Sequence, residues 1–111
     1  MESLSIGQVV LATFPFSDLS STKLRPCLII GMADFDDILL CQITSKSYGS
    51  RKVVSLAKSD FAQGTIVVDS YIRPDKIATL GRKRLRKTLG AINAEKLDEV
   101  KQRLKSILEI E

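Results

Sequence analysis

Short apolar segments, separated by linkers too short to hold a crossover helix, constrain the fold of this 111-residue chain more than any other feature. Parallel strands need a connection of about a dozen residues or more, whereas antiparallel strands are joined by tight turns. The pattern therefore predicts a mainly β fold, an antiparallel barrel or a strongly bent sheet. The predicted strands cover Gly7–Phe14, Pro26–Met32, Ile38–Thr44, Val53–Leu56, Thr65–Val68 and Lys76–Leu80.

A change of periodicity after Gly90 indicates a C-terminal amphipathic helix. Apolar residues there recur at spacings of three and four, and they are Leu97, Val100, Leu104, Ile107 and Leu108. Such spacing places them on one face of a helix. Asn93 is a good N-cap, and Glu95 in the first turn suits the helix dipole. We expect this helix to pack on the sheet.

The length and hydropathy of the chain predict one domain, residues 1–111, because domains of about 100–150 residues are the commonest. Hydrophobic residues make up 44% of the sequence, enough for a core without disulfides. No apolar run approaches the ~20 residues needed to span a bilayer, and the N-terminus lacks the features of a signal peptide. We therefore expect a cytoplasmic protein with no membrane partner.

The absence of histidine excludes whole classes of site. Ser/His/Asp and Cys/His triads, and most zinc sites, need an imidazole that titrates near neutral pH. The two cysteines, Cys27 and Cys41, lie in apolar runs without metal-ligand spacing and are predicted to be buried thiols. No metal site and no cofactor are expected, so any catalysis must use other groups.

Positive charge is concentrated in the second half of the chain. Residues 1–50 hold three basic and five acidic residues, whereas the remainder holds fourteen basic and eight acidic ones. This asymmetry favours a polyanionic partner, nucleic acid before membrane. The densest cluster is the basic run Arg82–Lys87, with five basic residues in six. It either contacts the polyanion directly or steers it from a distance.

Arg25 is the first candidate site residue, because Pro26 fixes it where a polar loop enters an apolar strand. Proline disfavours the helical conformation of the preceding residue, so Arg25 is held extended with its permanently charged guanidinium directed out of the barrel. A surface ion pair of Arg25 with Asp18 or Asp34 is the alternative.

Two further polar segments are candidate parts of the same site. The third strand ends in Thr44, Ser45 and Lys46, whose hydroxyls and ammonium would bind phosphate; a simple polar turn is the alternative. The segment Asp69–Asp75 repeats the Arg-Pro pair and adds an aromatic side chain. Its Tyr71 either stacks on a base or belongs to the core.

Five fragments in order along the chain carry a family resemblance: GQVV (7–10), FPFSDL (14–19), RPCLI (25–29), ITS (43–45) and SYIRPDK (70–76). Together with the C-terminal helix, they make the chain resemble the MazF/PemK-like toxins of bacterial toxin-antitoxin systems, closest to the PemK-like branch. The resemblance implies a small SH3-like antiparallel β-barrel with a terminal helix. The same scaffold occurs in CcdB-type gyrase poisons.

The resemblance implies a sequence-specific, metal-independent endoribonuclease that cuts single-stranded RNA and leaves a 2′,3′-cyclic phosphate and a 5′-hydroxyl. Arg25 matches the catalytic arginine of the family and Thr44 its hydroxyl partner, while Asp69 or Asp75 occupies the place of an additional carboxylate. Members with a histidine in the first long loop have no counterpart here. The residues expected to contact RNA are Phe16, Lys23, Ser45, Lys46, Tyr71 and Arg73.

The expected assembly is a homodimer, neutralised by an acidic antitoxin whose tail covers Arg25. DNA contact is expected only through the antitoxin complex. Fold resemblance does not by itself decide function. A non-catalytic, CcdB-like toxin that binds a protein target is one alternative, and an RNA-binding barrel without cleavage is another.

Overall fold

The computed structural model describes residues 3–13, 23–47 and 49–111, and within these ranges seven strands precede one C-terminal helix. Strands β1 to β7 cover, in chain order, Gln8–Ala12, Arg25–Met32, Asp37–Thr44, Val54–Leu56, Phe61–Gly64, Ser70–Gly81 and Leu85–Ile92. Helix α1 covers Ala94–Leu108. The prediction of a mainly β chain that ends in a helix is confirmed.

All seven strands form one antiparallel sheet with the order β4-β6-β3-β2-β1-β7-β5. The β2–β3 connection is a hairpin in which Phe35 and Asp36 have φ values of 63° and 61°. Type I′ hairpin turns require positive φ at both central positions. The β2–β3 register pairs Cys27 with Gln42. The start of β2 and the end of β3 consequently lie at the same edge of the molecule.

Strands β1, β2 and β3 are buried on both faces, which explains why they appear in the sequence as nearly continuous apolar runs. Val9 belongs to one buried cluster and its neighbour Val10 to another, because successive side chains point to opposite faces. Helix α1 covers the first cluster through Val100, which is fully buried. Strands of the sheet surround the second cluster, so the sheet must curl around it.

Helix α1 begins and packs as the sequence predicts. The side chain of Asn93 accepts a hydrogen bond from the backbone N–H of Lys96 at 2.8 Å, which caps the first turn. Leu97 and Leu104 pack with Val100 against the first cluster. Nowhere in the described ranges is there a helix with the length and apolar character to cross a membrane.

The prediction of a strand at Thr65–Val68 is wrong. The fifth strand lies just before it, at Phe61–Gly64, and the chain leaves the sheet after Gly64, whose φ is +69°. Strand β1 also ends earlier than predicted, at Ala12, and the predicted strand end at Phe14 lies outside the described residues. Residues 65–68 instead form a connection to β6.

Strand β6 begins at Ser70 rather than at Lys76, so the predicted strand is too short. Its Pro74 lies at an irregularity of the β3–β6 pairing, where Gln42 faces Arg73 and Cys41 faces Ile77. Proline cannot donate to the ladder and is tolerated in a central strand only at such a bulge. Strand β7 was not predicted at all, and it begins directly after the 3₁₀ turn Arg82–Arg84.

Candidate functional site

A groove of about 790 Å³ lies at the end of the sheet where β2 starts and β3 ends. Strand β6 and residues 65–68 complete its walls. Five of the residues predicted for the site line it, and they are Arg25, Thr44, Ser45, Lys46 and Arg73. The groove therefore brings together side chains that come from three separate parts of the sequence.

Arg25 and Thr44 occupy adjoining strand ends. Arg25 is the first residue of β2 and Thr44 the last of β3, and continuing the Cys27–Gln42 register by two residues places them opposite each other. Residues opposite each other in an antiparallel pair share one face of the sheet. Both residues are half-buried, so the guanidinium and the hydroxyl reach the groove from a fixed backbone.

The alternative that Arg25 pairs with Asp34 is wrong. Asp34 lies beyond the opposite end of β2, and nine residues of extended chain span roughly 25–30 Å. Asp18, the other alternative partner, lies outside the described residues. The start of β2 and Pro26 set the backbone position of Arg25.

The lip formed by Ser45 and Lys46 is a turn that also lines the groove. The hydroxyl of Thr44 accepts a hydrogen bond from the backbone N–H of Lys46 at 3.2 Å, and this bond sets the path of the lip. A hydroxyl that accepts one bond still carries a proton that it can donate. This bond agrees with the polar-turn alternative, and phosphate binding by the same segment stays a prediction.

Arg73 is held in place by Asp75. Arg73 Nη2 lies 3.2 Å from Asp75 Oδ2, and Arg73 Nε donates to Asp75 Oδ1 at 3.4 Å. Such a two-point pair fixes the plane of the guanidinium. Neither Asp75 nor Asp69 is among the described residues that line the groove, so the structure gives neither predicted carboxylate a place at its wall.

Three other predicted contacts fall outside the groove lining or outside the described residues. Lys23 is exposed and precedes β2 by two residues, and Tyr71 is half-buried and paired in register with Thr44. Neither Lys23 nor Tyr71 is among the described residues that line the groove. The predicted contact Phe16 lies in a part of the chain that the structure does not describe.

Four polar residues of the groove are not among the predicted site residues, and they are Gln42, Thr65, Ser70 and Lys76. Gln42 is 8% exposed and two residues before Thr44, on the same face of β3. Period-two spacing from Thr44 was the signal for it. Lys76 lies beside the irregularity at Pro74, where strand periodicity does not tell which way a side chain points.

The charged residues that line the groove all carry the same sign. They are Arg25, Lys46, Arg73 and Lys76. A concave surface with one sign of charge concentrates ligands of the opposite sign. The groove is therefore suited to an anion that presents several oxygen atoms.

Cys27 and Cys41 are buried, and the prediction of buried free thiols is confirmed. Burial raises the pKa of each thiol to about 12. Only a thiolate is a strong nucleophile, so neither cysteine reacts readily at neutral pH. Candidate reacting groups are therefore sought among the residues that line the groove.

The basic run Arg82–Lys87 contributes no residue to the groove lining, and part of it is structural. Arg84 donates to the hydroxyl of Thr13 at 3.0 Å and to its carbonyl at 2.9 Å, and Arg82 lies 3.7 Å from Asp36. Among the groove-lining residues of the described chain, none comes from this run. Lys87 is paired in register with Leu11, which lines the groove, so steering and direct contact both stay open as predictions for this run.

A curled antiparallel sheet with a cationic groove and a C-terminal helix defines a small β-barrel-like protein built for an anionic ligand. The sequence profile of the PemK-like, MazF-like toxins of type II toxin-antitoxin systems matches residues 5–108, and the chain belongs to this family. The resemblance seen in the sequence motifs is confirmed. A comparison with curated proteins finds no match.

Solved structures share the fold over nearly the whole chain. An endoribonuclease in complex with its cognate antitoxin from a mycobacterial species is 19% identical with a TM-score of 0.77, covering 98% of each chain. MazF from Deinococcus radiodurans is 24% identical with a TM-score of 0.76, covering 96% of this chain and 97% of that one. A MazE-MazF structure from the same organism is 22% identical with a TM-score of 0.74, covering 97% of each.

Proposed function

We propose that the protein is a toxin endoribonuclease that cleaves single-stranded RNA in the cationic groove. The observation that carries the proposal is that Arg25 and Thr44, at adjoining strand ends, line one groove whose charged residues are all basic. Family membership and the endoribonuclease among the structural neighbours support it. A CcdB-like protein-binding toxin would not require an arginine–hydroxyl pair in a cationic groove.

The proposed reaction uses a nucleophile that the substrate supplies. The RNA 2′-oxygen attacks the adjacent phosphorus, a 2′-O–P bond forms, and the P–O5′ bond breaks. The products are a 2′,3′-cyclic phosphate and a 5′-hydroxyl. The 2′-hydroxyl loses its proton and the leaving 5′-oxygen gains one, so no external water or cofactor is consumed.

Arg25 and Thr44 act on the phosphate in this proposal. The reaction passes through a pentacoordinate phosphorane that carries extra negative charge, and fixed donors aimed at that charge lower the barrier. A guanidinium is permanently charged and presents a planar fork of donors, so we assign Arg25 to stabilisation of the phosphorane and, by hydrogen bonding, of the negative charge on the leaving 5′-oxygen. Thr44 orients the scissile phosphate through its hydroxyl.

The partners proposed from the family are a cognate acidic antitoxin and a second copy of the chain. An antitoxin is part of the complexes formed by structural neighbours, and an acidic segment would complement the groove. DNA contact would arise only through the antitoxin complex, and the site of action would be the cytoplasm. Light scattering tests the homodimer, for which we expect twice the 12.3 kDa chain mass.

Cleavage is expected to proceed at an unchanged rate in excess EDTA. The chain has no histidine, and no cluster of three metal-ligating side chains occurs in the part that the structure describes. The measurement is the rate of cleavage of a long single-stranded RNA with EDTA and with magnesium, followed by labelling of the new 5′-hydroxyl ends with a polynucleotide kinase. Loss of cleavage in EDTA that magnesium restores would contradict the mechanism. Binding without cleavage under either condition would favour the RNA-binding alternative.

Replacing Lys83 and Lys87 with glutamine is expected to weaken RNA association without slowing cleavage at saturating RNA. Both lysines are exposed and outside the groove lining, and each phosphate contact that is lost flattens the salt dependence of binding by about 0.7 in log–log slope. Arg84 is left intact because it anchors Thr13. Single-turnover cleavage at two salt concentrations separates the half-saturating RNA concentration from the saturated rate.

The matched control for the basic run is the double substitution of Lys101 and Lys105 with glutamine. These lysines are exposed on α1, and the change in net charge is the same. We expect this control to bind RNA nearly as well as the parent protein. Equal weakening by both pairs would show that net charge alone matters, and a large fall in the saturated rate would place Lys83 or Lys87 in the site.

A further inference from the structure

Gln42 is a buried polar residue for which the fold supplies no complete set of hydrogen bonds. It is 8% exposed, and its Oε1 atom is buried without a hydrogen-bond partner among the described residues. Buried side-chain oxygens are usually satisfied, so an exception calls for an explanation. An apolar side chain of the same size would fill this place in β3 without leaving an acceptor unpaired.

The position of Gln42 connects this acceptor with the site. Gln42 lines the groove, and in register it lies between Cys27 of β2 and Arg73 of β6. Thr44 lies two residues further along the same face. The terminal torsion of glutamine is soft, so its oxygen can turn towards a group in the groove at little cost.

The chemistry of the groove separates Gln42 from the residues around it. The side chains of Arg25, Arg73 and Lys76 contain hydrogen-bond donors and no acceptor atom, so they suit phosphate oxygens. A phosphate diester has no proton to give, so it leaves the oxygen of Gln42 unpaired. The donors of RNA are the N–H groups of its bases and the ribose 2′-hydroxyl.

We propose that Gln42 determines sequence specificity, with its carboxamide oxygen accepting a hydrogen bond from the N–H edge of one base held in the groove. A carboxamide presents an acceptor and a donor side by side, and base edges present the complementary pair. This proposal rests on the proposed ribonuclease function. It assigns recognition of a base to Gln42 and binding of the phosphates to the cations around it.

The test is the cleavage profile of a random-sequence RNA pool, cut to low conversion by the parent protein and by Gln42→Met, with the ends sequenced. Methionine matches glutamine in length and offers no comparable donor or acceptor. We expect the preference at one nucleotide position to fall at least tenfold, while the preferences at other positions persist. The matched control is Gln102→Met on the exposed face of α1, which should keep the parent profile.

Two outcomes would overturn the proposal: an unchanged preference at every position, or a uniform fall in rate at all sites with the preferences intact. The second would indicate contact with the ribose or the backbone. We also expect Gln42→Met to melt no lower than the parent protein, because it removes a buried unpaired acceptor. A lower melting temperature would assign Gln42 to the fold.

A second variant keeps the test valid if Gln42→Met gives too little folded protein. Gln42→Asn keeps the carboxamide but shortens the side chain by one methylene. We expect it to weaken the nucleotide preference at the same position. If the parent protein itself leaves the pool uncut, the proposed ribonuclease function fails. That result is distinct from parent cleavage without an effect of Gln42, which overturns only the specificity assignment.

Discussion

Replacing Arg25 with alanine is expected to lower the rate of RNA cleavage at saturating substrate by about a thousandfold while the fold persists. The guanidinium is the group placed opposite Thr44 at the sheet edge, and alanine removes every donor that it would direct at the phosphorane. Its backbone pairing with Ala12 does not depend on the side chain. The measurement is single-turnover cleavage at saturating RNA, with thermal melting as the check on folding.

Two further variants sharpen the Arg25 experiment. Arg25→Lys keeps the positive charge but loses the planar fork, and we expect it to remain severely impaired. Arg51→Ala removes an exposed arginine outside the groove lining and should cleave at the parent rate. Near-normal turnover of Arg25→Ala would remove this residue from the site, and full rescue by lysine would show that charge alone suffices.

The sequence predicted the centre of the sheet best. Strands β1, β2 and β3 are buried on both faces, so they appear as uninterrupted apolar runs that end at turn-forming residues. The helix was equally clear, because an apolar stripe and an N-cap at Asn93 agree. Local pattern and tertiary burial point to the same structure in these elements.

Strands β5, β6 and β7 were harder to predict, because many of their residues face solvent. Residues 86–88 in β7 are exposed, so this strand resembles a solvated basic segment in the sequence. The irregularity at Pro74 interrupts the strand pattern of β6, so the sequence predicts only the part of this strand that begins at Lys76. In β5, residues 62–64 are exposed, and the apolar run that follows drew the strand prediction to Thr65–Val68. Pairing with β7 decides where β5 lies, and pairing is not a local property.

The candidate site shows the same division between local and tertiary information. Arg25 and Thr44 follow from an Arg-Pro pair and from hydroxyls at a strand end, and the structure places both in the groove. The carboxylates Asp69 and Asp75 have similar local signals, yet they lie outside its lining. For Gln42, the period-two spacing from Thr44 is the one local signal in the sequence, and it does not mark the residue as functional. Its significance appears only when burial and missing partners are known.

Substituting Gly64 with alanine is expected to lower the free energy of unfolding by about 2–5 kcal/mol. This cost has two parts: alanine would have to adopt a left-handed backbone conformation, and its Cβ would be overpacked against the facing strand. Gly64 has φ +69°, and a Cβ there would lie 2.1 Å from the carbonyl oxygen of Leu89. The β5–β7 pairing opposes Gly64 to Gly90, where a Cβ would lie 2.2 Å from the carbonyl oxygen of Gln63. Both strands therefore require glycine where Gly64 and Gly90 are paired.

The pairing of Gly64 with Gly90 also concerns the groove, because residues 65–68 of its wall begin directly after it. The measurement is equilibrium unfolding in urea, and the matched control is Gly49→Ala. Gly49 has φ +67°, but a Cβ there would meet no atom of the described residues within 4 Å, so its substitution isolates the cost of a left-handed alanine, about 1–2 kcal/mol. If Gly64→Ala loses no more stability than Gly49→Ala, then β7 shifts to accommodate the new Cβ, and close packing does not fix this wall of the groove. A larger loss, accompanied by weaker RNA cleavage in the folded fraction, would tie the stability of the β5–β7 pair to the shape of the site.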